Sequence, residues 1–195
     1  MAASSPIDAE KARLRRRLRA LRRDLARDRD TASERAAELA PLGLWPAARN
    51  VAGYLAAPVE IDPAPLLCRL AAAGARSLLP VVTARGAPLA FREAGARESL
   101  VADFAGLPAP PPSAATGVPG LLITPLLAFD RSGGRLGQGG GFYDRTLRDL
   151  RRRGEVFAVG LAFAGQEVDQ APMGPDDEPL DAVLTEKGYI AFGKG

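Results

Sequence analysis

The chain has no histidine, one cysteine and only three lysines among its 195 residues. Without histidine, Ser-His-Asp and Cys-His catalysis and the usual transition-metal sites are excluded. Cys68 stands alone, which excludes an internal disulfide and a cysteine-rich zinc site. It lies in the apolar helical run "APLLCRLAAAG" and reads as a core residue rather than a nucleophile. No apolar run has the length of a bilayer span. The opening "MAASSPIDAEKARLRRRLRALRRDL" lacks the uninterrupted apolar stretch of a secretory signal, so a cytoplasmic enzyme is expected. Any chemistry must therefore come from carboxylates, Arg, Lys, Tyr, backbone amides or a hard cation such as Mg²⁺.

What is present fits one globular domain over residues 1–195, with residues 1–10 expected to be disordered: 47% of residues are apolar and 25% charged. The net charge of +3 is unevenly spread. Residues 11–23 carry eight positive and no negative charges, which leaves −5 for the rest. Residues 8–29 read as an amphipathic helix in which Leu14, Leu18, Leu21 and Leu25 form one stripe. Lys11, Arg15 and Arg22 fall along one flank of it, while Arg13, Arg16 and Arg19 point elsewhere. A second helix is predicted over 33–40, stopped by Pro41.

Beyond it, "RNVAGYLAA", "RSLLPVV", "LLITPLLAFD" and "VFAVGLAFA" read as strands, with "APLAFRE" a short addition. Helices are predicted at "IDPAPLLCRLAAAG" and "DRTLRDLRRRG", an extended loop at 108–120, and a closing hairpin in "LDAVLTEKGYIAF". The order points to an α/β fold: three α/β/α layers with a mostly parallel central sheet and an N-terminal amphipathic helix.

"RLGQGGGFYDRT" (135–146) places glycine at four of the five positions 137–141, between a strand and a helix. That arrangement gathers backbone N–H groups into a phosphate-binding nest, and Arg135 and Arg145 bracket it. A plain flexible hairpin is the other reading of the composition. Neither nucleotide fingerprint is met: there is no G-x-x-x-x-G-K-S/T, and G-x-G-x-x-G would need glycine where Phe142 stands.

The segment "LLITPLLAFDRSGGRLGQGGGFYDRTL" resembles the signature of the 5-formyltetrahydrofolate cyclo-ligase (5,10-methenyltetrahydrofolate synthetase) family. "KARLR", "YLAAPVEID", "SLLPVV" and "VGLAFAGQEVDQAPMGPDDEPLDAVLTEKG" resemble further blocks of that family, in register over 11–188. The sequence departs at Gln138, where the family often has Tyr, Phe or Arg, at Phe142, where Tyr is common, and at Asp176, where histidine usually stands.

The resemblance implies ATP- and Mg²⁺-dependent conversion of 5-formyltetrahydrofolate, with or without a polyglutamate tail, to 5,10-methenyltetrahydrofolate. It implies ATP contacts at Lys11, Arg15, Arg135, Leu136, Gly137, Gln138, Gly139, Gly140, Gly141, Phe142 and Tyr143, with Arg135 and Tyr143 catalytic. Folate contacts are implied at Leu55, Glu60, Gln138, Gly139, Gly140, Gly141 and Phe142, and metal ligands at Asp144 and Asp177. The bland readings are packing under the loop for Tyr143, a helix-start acid for Asp144, a solvated loop acid for Asp177 and a surface position for Glu60. A monomer is expected, with neither nucleic acid nor membrane as partner.

Two rivals remain. A sugar-phosphate isomerase or transferase on a related fold would need a dedicated acid/base pair and no ATP. Nucleic-acid binding through the arginine-rich helix is opposed by its leucine stripe and the acidic remainder of the chain.

Overall fold

The computed structural model describes residues 6–95, 99–154 and 156–193. Its centre is a seven-stranded sheet whose inner strands are parallel. Helix α1 (Pro6–Leu25) runs through a 3₁₀ turn into α2 (Arg29–Leu39), and strand β1 (Asn50–Ala52) follows. Then come α3 (Ala64–Ala72), β2 (Arg76–Val81), β3 (Ala90–Glu93), β4 (Val101–Ala102) and β5 (Pro108–Ala109). Next are β6 (Leu121–Pro125), β7 (Ala128–Phe129), β8 (Arg135–Leu136) and α4 (Phe142–Arg153). Strands β9 (Phe157–Leu161), β10 (Ala182–Thr185) and β11 (Gly188–Ala191) end the chain. The sheet order is β11-β10-β9-β6-β1-β2-β3, with antiparallel β3 and β11 at the edges.

The apolar runs are strands because both faces of the sheet are covered. Alternate residues go to opposite sides. Leu121 and Ile123 join the buried cluster that holds Ala36 of α2 and Leu66 of α3, and Leu122 joins the one that holds Leu147 and Leu150 of α4. Gly141 at φ +64° starts α4, and Gly154 follows its end. The three-layer architecture is thus the one expected.

Several local expectations need correction. Cys68 is exposed, because α3 buries Leu66 and Leu70 instead. The run 121–130 is not one strand: it breaks after Pro125, and β7 pairs with β8 as a separate hairpin. Of the loop at 108–120, the first two residues pair with β4. Helix α1 already includes Pro6–Glu10, part of the stretch expected to be disordered, and residues 1–5 lie outside the described residues. Helix α2 starts four residues earlier than predicted, at Arg29.

Leu18 is buried against Leu127, Ala128 and Leu136, but Leu21 is 38% exposed. At roughly 100° per residue, Lys11, Arg15, Leu18 and Arg22 lie within about 60° of one another, and Leu21 is the leucine farthest from them. The inward face of α1 therefore carries three cations.

β1 and β6 are neighbours from which the chain proceeds in opposite directions across the sheet. A crevice opens outside their carboxyl ends, the usual ligand position in such sheets. Asp130 organises the turn that leads into this region. Buried, it accepts from the Ser132 hydroxyl (2.6 Å) and from the amides of Ser132 (2.8 Å), Gly134 (3.0 Å) and Ala171 (2.8 Å). Burial alone would push its carboxyl up, but these hydrogen bonds outweigh it and hold the group below its ordinary value.

A carboxyl depressed on folding stabilises above its unfolded pKa of about 3.9, and that contribution fades as pH falls through the lower folded value. Asp130→Asn should cost roughly 1–3 kcal/mol at neutral pH and flatten the loss of Tm between about pH 5 and 3. Thermal melts across that range check this; parallel pH profiles for the variant and the parent would contradict it.

Candidate functional site

Two adjoining cavities occupy the crevice. The larger, about 340 Å³, is bounded by α1, the glycine segment and the start of α4. The smaller, about 210 Å³, is walled mainly by apolar groups including Leu55, Val82, Leu89 and Leu107. Glu60, Pro125, Phe142 and Tyr143 border both.

The charged residues of the larger wall are set by the elements that carry them. Lys11, Arg15 and Arg22 reach it because α1 turns its cationic flank inward. Lys11 is ion-paired with Asp177, and the Gly174 amide donates to the same carboxylate oxygen at 2.5 Å. Arg135 is delivered by β8, with its side chain only 3% exposed. One of its terminal nitrogens donates to Asp144 Oδ1 at 2.6 Å, while its buried Nε has no partner among the described residues. Leu136 lines the cavity from a core position, its side chain packed with Leu18.

From Gln138 to Asp144 the backbone amides find no protein acceptor among the described residues. These donors lie beside the positive end of α4, a combination that favours an anion. The glycines from 137 to 141 line the same wall.

The carboxylates divide by their partners. Asp144 Oδ1 takes Arg135 and the Glu178 amide (3.2 Å), and Asp177 Oδ2 takes Lys11 and Gly174. Each keeps a second oxygen without a protein partner among the described residues. No cluster of three or more acidic, His or Cys side chains forms a ready-made metal cage among those residues. Mg²⁺ typically uses one or two carboxylates plus substrate phosphates, so this donor set suits it.

At the boundary of the cavities, Arg22 donates to Glu60 Oε1 at 3.0 Å, and the Ala57 amide donates to Oε2 at 3.1 Å. Tyr54 is buried and Tyr143 partly buried beside Glu60. Burial first, then that carboxylate, pushes both phenols up, against the opposing pull of Arg135 on Tyr143 and Arg22 on Tyr54. Both therefore stay protonated at any working pH, and Tyr54 donates to the Ile61 carbonyl at 2.7 Å.

A sequence profile of the 5-formyltetrahydrofolate cyclo-ligase family matches residues 7–186. The chain belongs to this family. The 5-formyltetrahydrofolate cyclo-ligase of Mycolicibacterium smegmatis is 39% identical over 158 residues, covering 77% of this chain and 80% of the relative. That of Escherichia coli is 38% identical over 143 residues, covering 71% and 78%. Among solved structures, Aquifex aeolicus 5,10-methenyltetrahydrofolate synthetase superposes with a TM-score of 0.74 at 26% identity, over 95% of this chain and 94% of the other. A Mycoplasma pneumoniae 5,10-methenyltetrahydrofolate synthetase has the same fold, with a TM-score of 0.69 at 21% identity over 90% and 98%.

All positions that the cyclo-ligase resemblance marked lie on one or both cavity walls. Its three departures are spread around them. Gln138 is exposed, and Arg19 donates to both its side-chain oxygen (3.0 Å) and its carbonyl (3.3 Å). Phe142 edges both cavities with Arg145 over its ring at 5.3 Å. Asp176 is a surface acid paired with Arg148 at 3.2 Å.

Sequence reasoning gave Arg22 no site role and aimed Arg19 elsewhere. The repeat 11, 15, 18, 22 was the available signal for Arg22. Arg19 carried none, since its partner is 119 residues away.

Proposed function

We propose that this chain catalyses the ATP-dependent closure of 5-formyltetrahydrofolate to 5,10-methenyltetrahydrofolate, releasing ADP and phosphate. Membership of the cyclo-ligase family supports the reaction class. The structural support is the pair of cavities sharing Glu60, Phe142 and Tyr143: a cationic, amide-lined one for the triphosphate beside an apolar one for the folate.

The formyl oxygen attacks the γ-phosphorus, ADP departs, and the oxygen becomes part of a leaving group. N10 then bonds to the formyl carbon and loses its proton, and the carbon–oxygen bond breaks to release phosphate. No protein nucleophile is needed; the protein positions the reactants and balances charge. Arg135 faces the transferring phosphoryl group from a buried seat, with Lys11 and Arg15 on the rest of the polyphosphate. The amides of 137–141 cup the terminal phosphate, and Tyr143, fixed as a phenol, donates a hydrogen bond there.

Asp144 and Asp177 would hold Mg²⁺ through their uncommitted oxygens. When bound, that ion offsets charge on the phosphate oxygens. Glu60 accepts from the N–H donors of the pterin while Leu55 packs on its apolar face; the same pocket serves mono- and polyglutamylated substrate. The same reading takes the protein to be a monomer working in the cytoplasm. No helix among the described residues is long and apolar enough to cross a membrane.

Purified protein given 5-formyltetrahydrofolate and Mg-ATP should form the chromophoric methenyl product. Folded protein that stays silent would reject the assignment. Glu60→Gln keeps an acceptor for Arg22 but removes the charge. It should raise the folate KM about tenfold or more and leave the ATP KM near its parent value. An unchanged folate KM would remove Glu60 from the folate pocket.

A further inference from the structure

The glycine segment is gripped from its carbonyl side. Arg15 Nε donates to the Gly137 carbonyl at 2.9 Å, Arg19 to that of Gln138 at 3.3 Å, and Arg145 to that of Gly140 at 2.9 Å. Every peptide here is trans. A trans peptide holds its C=O and the following N–H antiparallel. Each carbonyl turned toward an arginine therefore turns the next N–H, of Gln138, Gly139 and Gly141, away from it.

The glycines also make room for these side chains. At Gly139 (φ +104°) an added Cβ would stand 3.3 Å from Arg15 Cζ, and at Gly141 (φ +64°) it would stand 2.5 Å from a terminal nitrogen of Arg145. Arg145 is further fixed over the Phe142 ring, and Arg19 by the Gln138 side chain.

We propose that Arg19 and Arg145 are positioning residues that fix the peptide planes of 137–141, so that amides rather than carbonyls meet the nucleotide. They act on the backbone and not on the phosphate itself. The proposal rests on reading this loop as the cradle of the triphosphate.

The test is the dissociation constant of a nonhydrolysable ATP analogue, measured at low and at moderate salt, with folate binding and melting temperature followed in parallel. Arg19→Ala and Arg145→Ala should each weaken the analogue about five- to tenfold, as expected for one lost charge-assisted hydrogen bond. Folate affinity, which also draws on Glu60 and Leu55 away from this loop, should fall less than analogue affinity, and the fold-loss for the analogue should be the same at both salt concentrations. Arg19→Lys and Arg145→Lys, which restore a donor, should recover most of the affinity.

A loss that shrinks as salt rises would mean that the charges act on the phosphate, since exposed charge contacts are screened. Equal losses for analogue and folate would mean a general structural role. Unchanged analogue affinity would also overturn the proposal. If the parent protein binds no analogue at all, the reading of the cradle fails; if it binds normally and the variants match it, only this inference fails.

Discussion

Arg135→Ala should lower turnover by a factor on the order of 10² or more, the loss expected when a buried cation is removed from a phosphoryl-transfer site. Arg135 is 4% exposed and keeps a buried Nε with no protein partner among the described residues. A donor left in that condition is costly unless something completes it, which suits the proposed contact with a ligand. Its effect should fall on kcat more than on the KM for ATP, because charge on the transferring group grows toward the transition state. The substitution also strands Asp144, whose Oδ1 lies 2.6 Å away, so a stability control is needed. Arg135→Lys keeps the charge without the forked geometry and should fold normally while remaining slow. Parent-like kcat in folded Arg135→Ala would place the phosphoryl group elsewhere.

Much of the scaffold was legible in the sequence, for an identifiable reason. "LLITP" and "FAVGL" are continuously apolar because inner parallel strands are covered on both faces. Gly141 and Gly154 mark α4 because one adopts a left-handed conformation and the other ends the helix. The failures share a different cause. Apolar character records burial but not strand continuity, so Leu127, Ala128 and Phe129 looked like an extension of β6 while belonging to a hairpin. Helical spacing gives direction but not partners, so Arg19 could not be told from the solvated Arg16, Arg17 and Arg23 beside it. Cys68 was misread because a run of apolar letters hid which face of α3 turns outward. The site itself was legible only through the resemblance: spacing supplied the glycine nest, whereas Glu60 and Asp177 are acids of a kind found on any surface.

Arg22→Ala should destabilise the fold by about 3–5 kcal/mol, a drop in Tm of very roughly 6–20 °C for a chain of this size. The Arg22–Glu60 pair has side-chain exposures of 5% and 13%, and the guanidinium also donates to the Leu126 carbonyl at 3.4 Å. Removing the cation leaves a part-buried carboxylate supported only by the Ala57 amide at 3.1 Å. Desolvation of that unpaired charge, not loss of the bond alone, sets the magnitude. The double variant Arg22→Met with Glu60→Gln removes both charges and should regain most of the lost Tm, since the stranded charge is gone. Its folate KM should nevertheless stay as high as that of Glu60→Gln alone, because the carboxylate for the pterin is missing in both. Stability and folate binding would then separate at a single ion pair. If the double variant instead melts as low as Arg22→Ala, packing of the guanidinium stem, rather than its charge, ties α1 to the edge of the folate cavity.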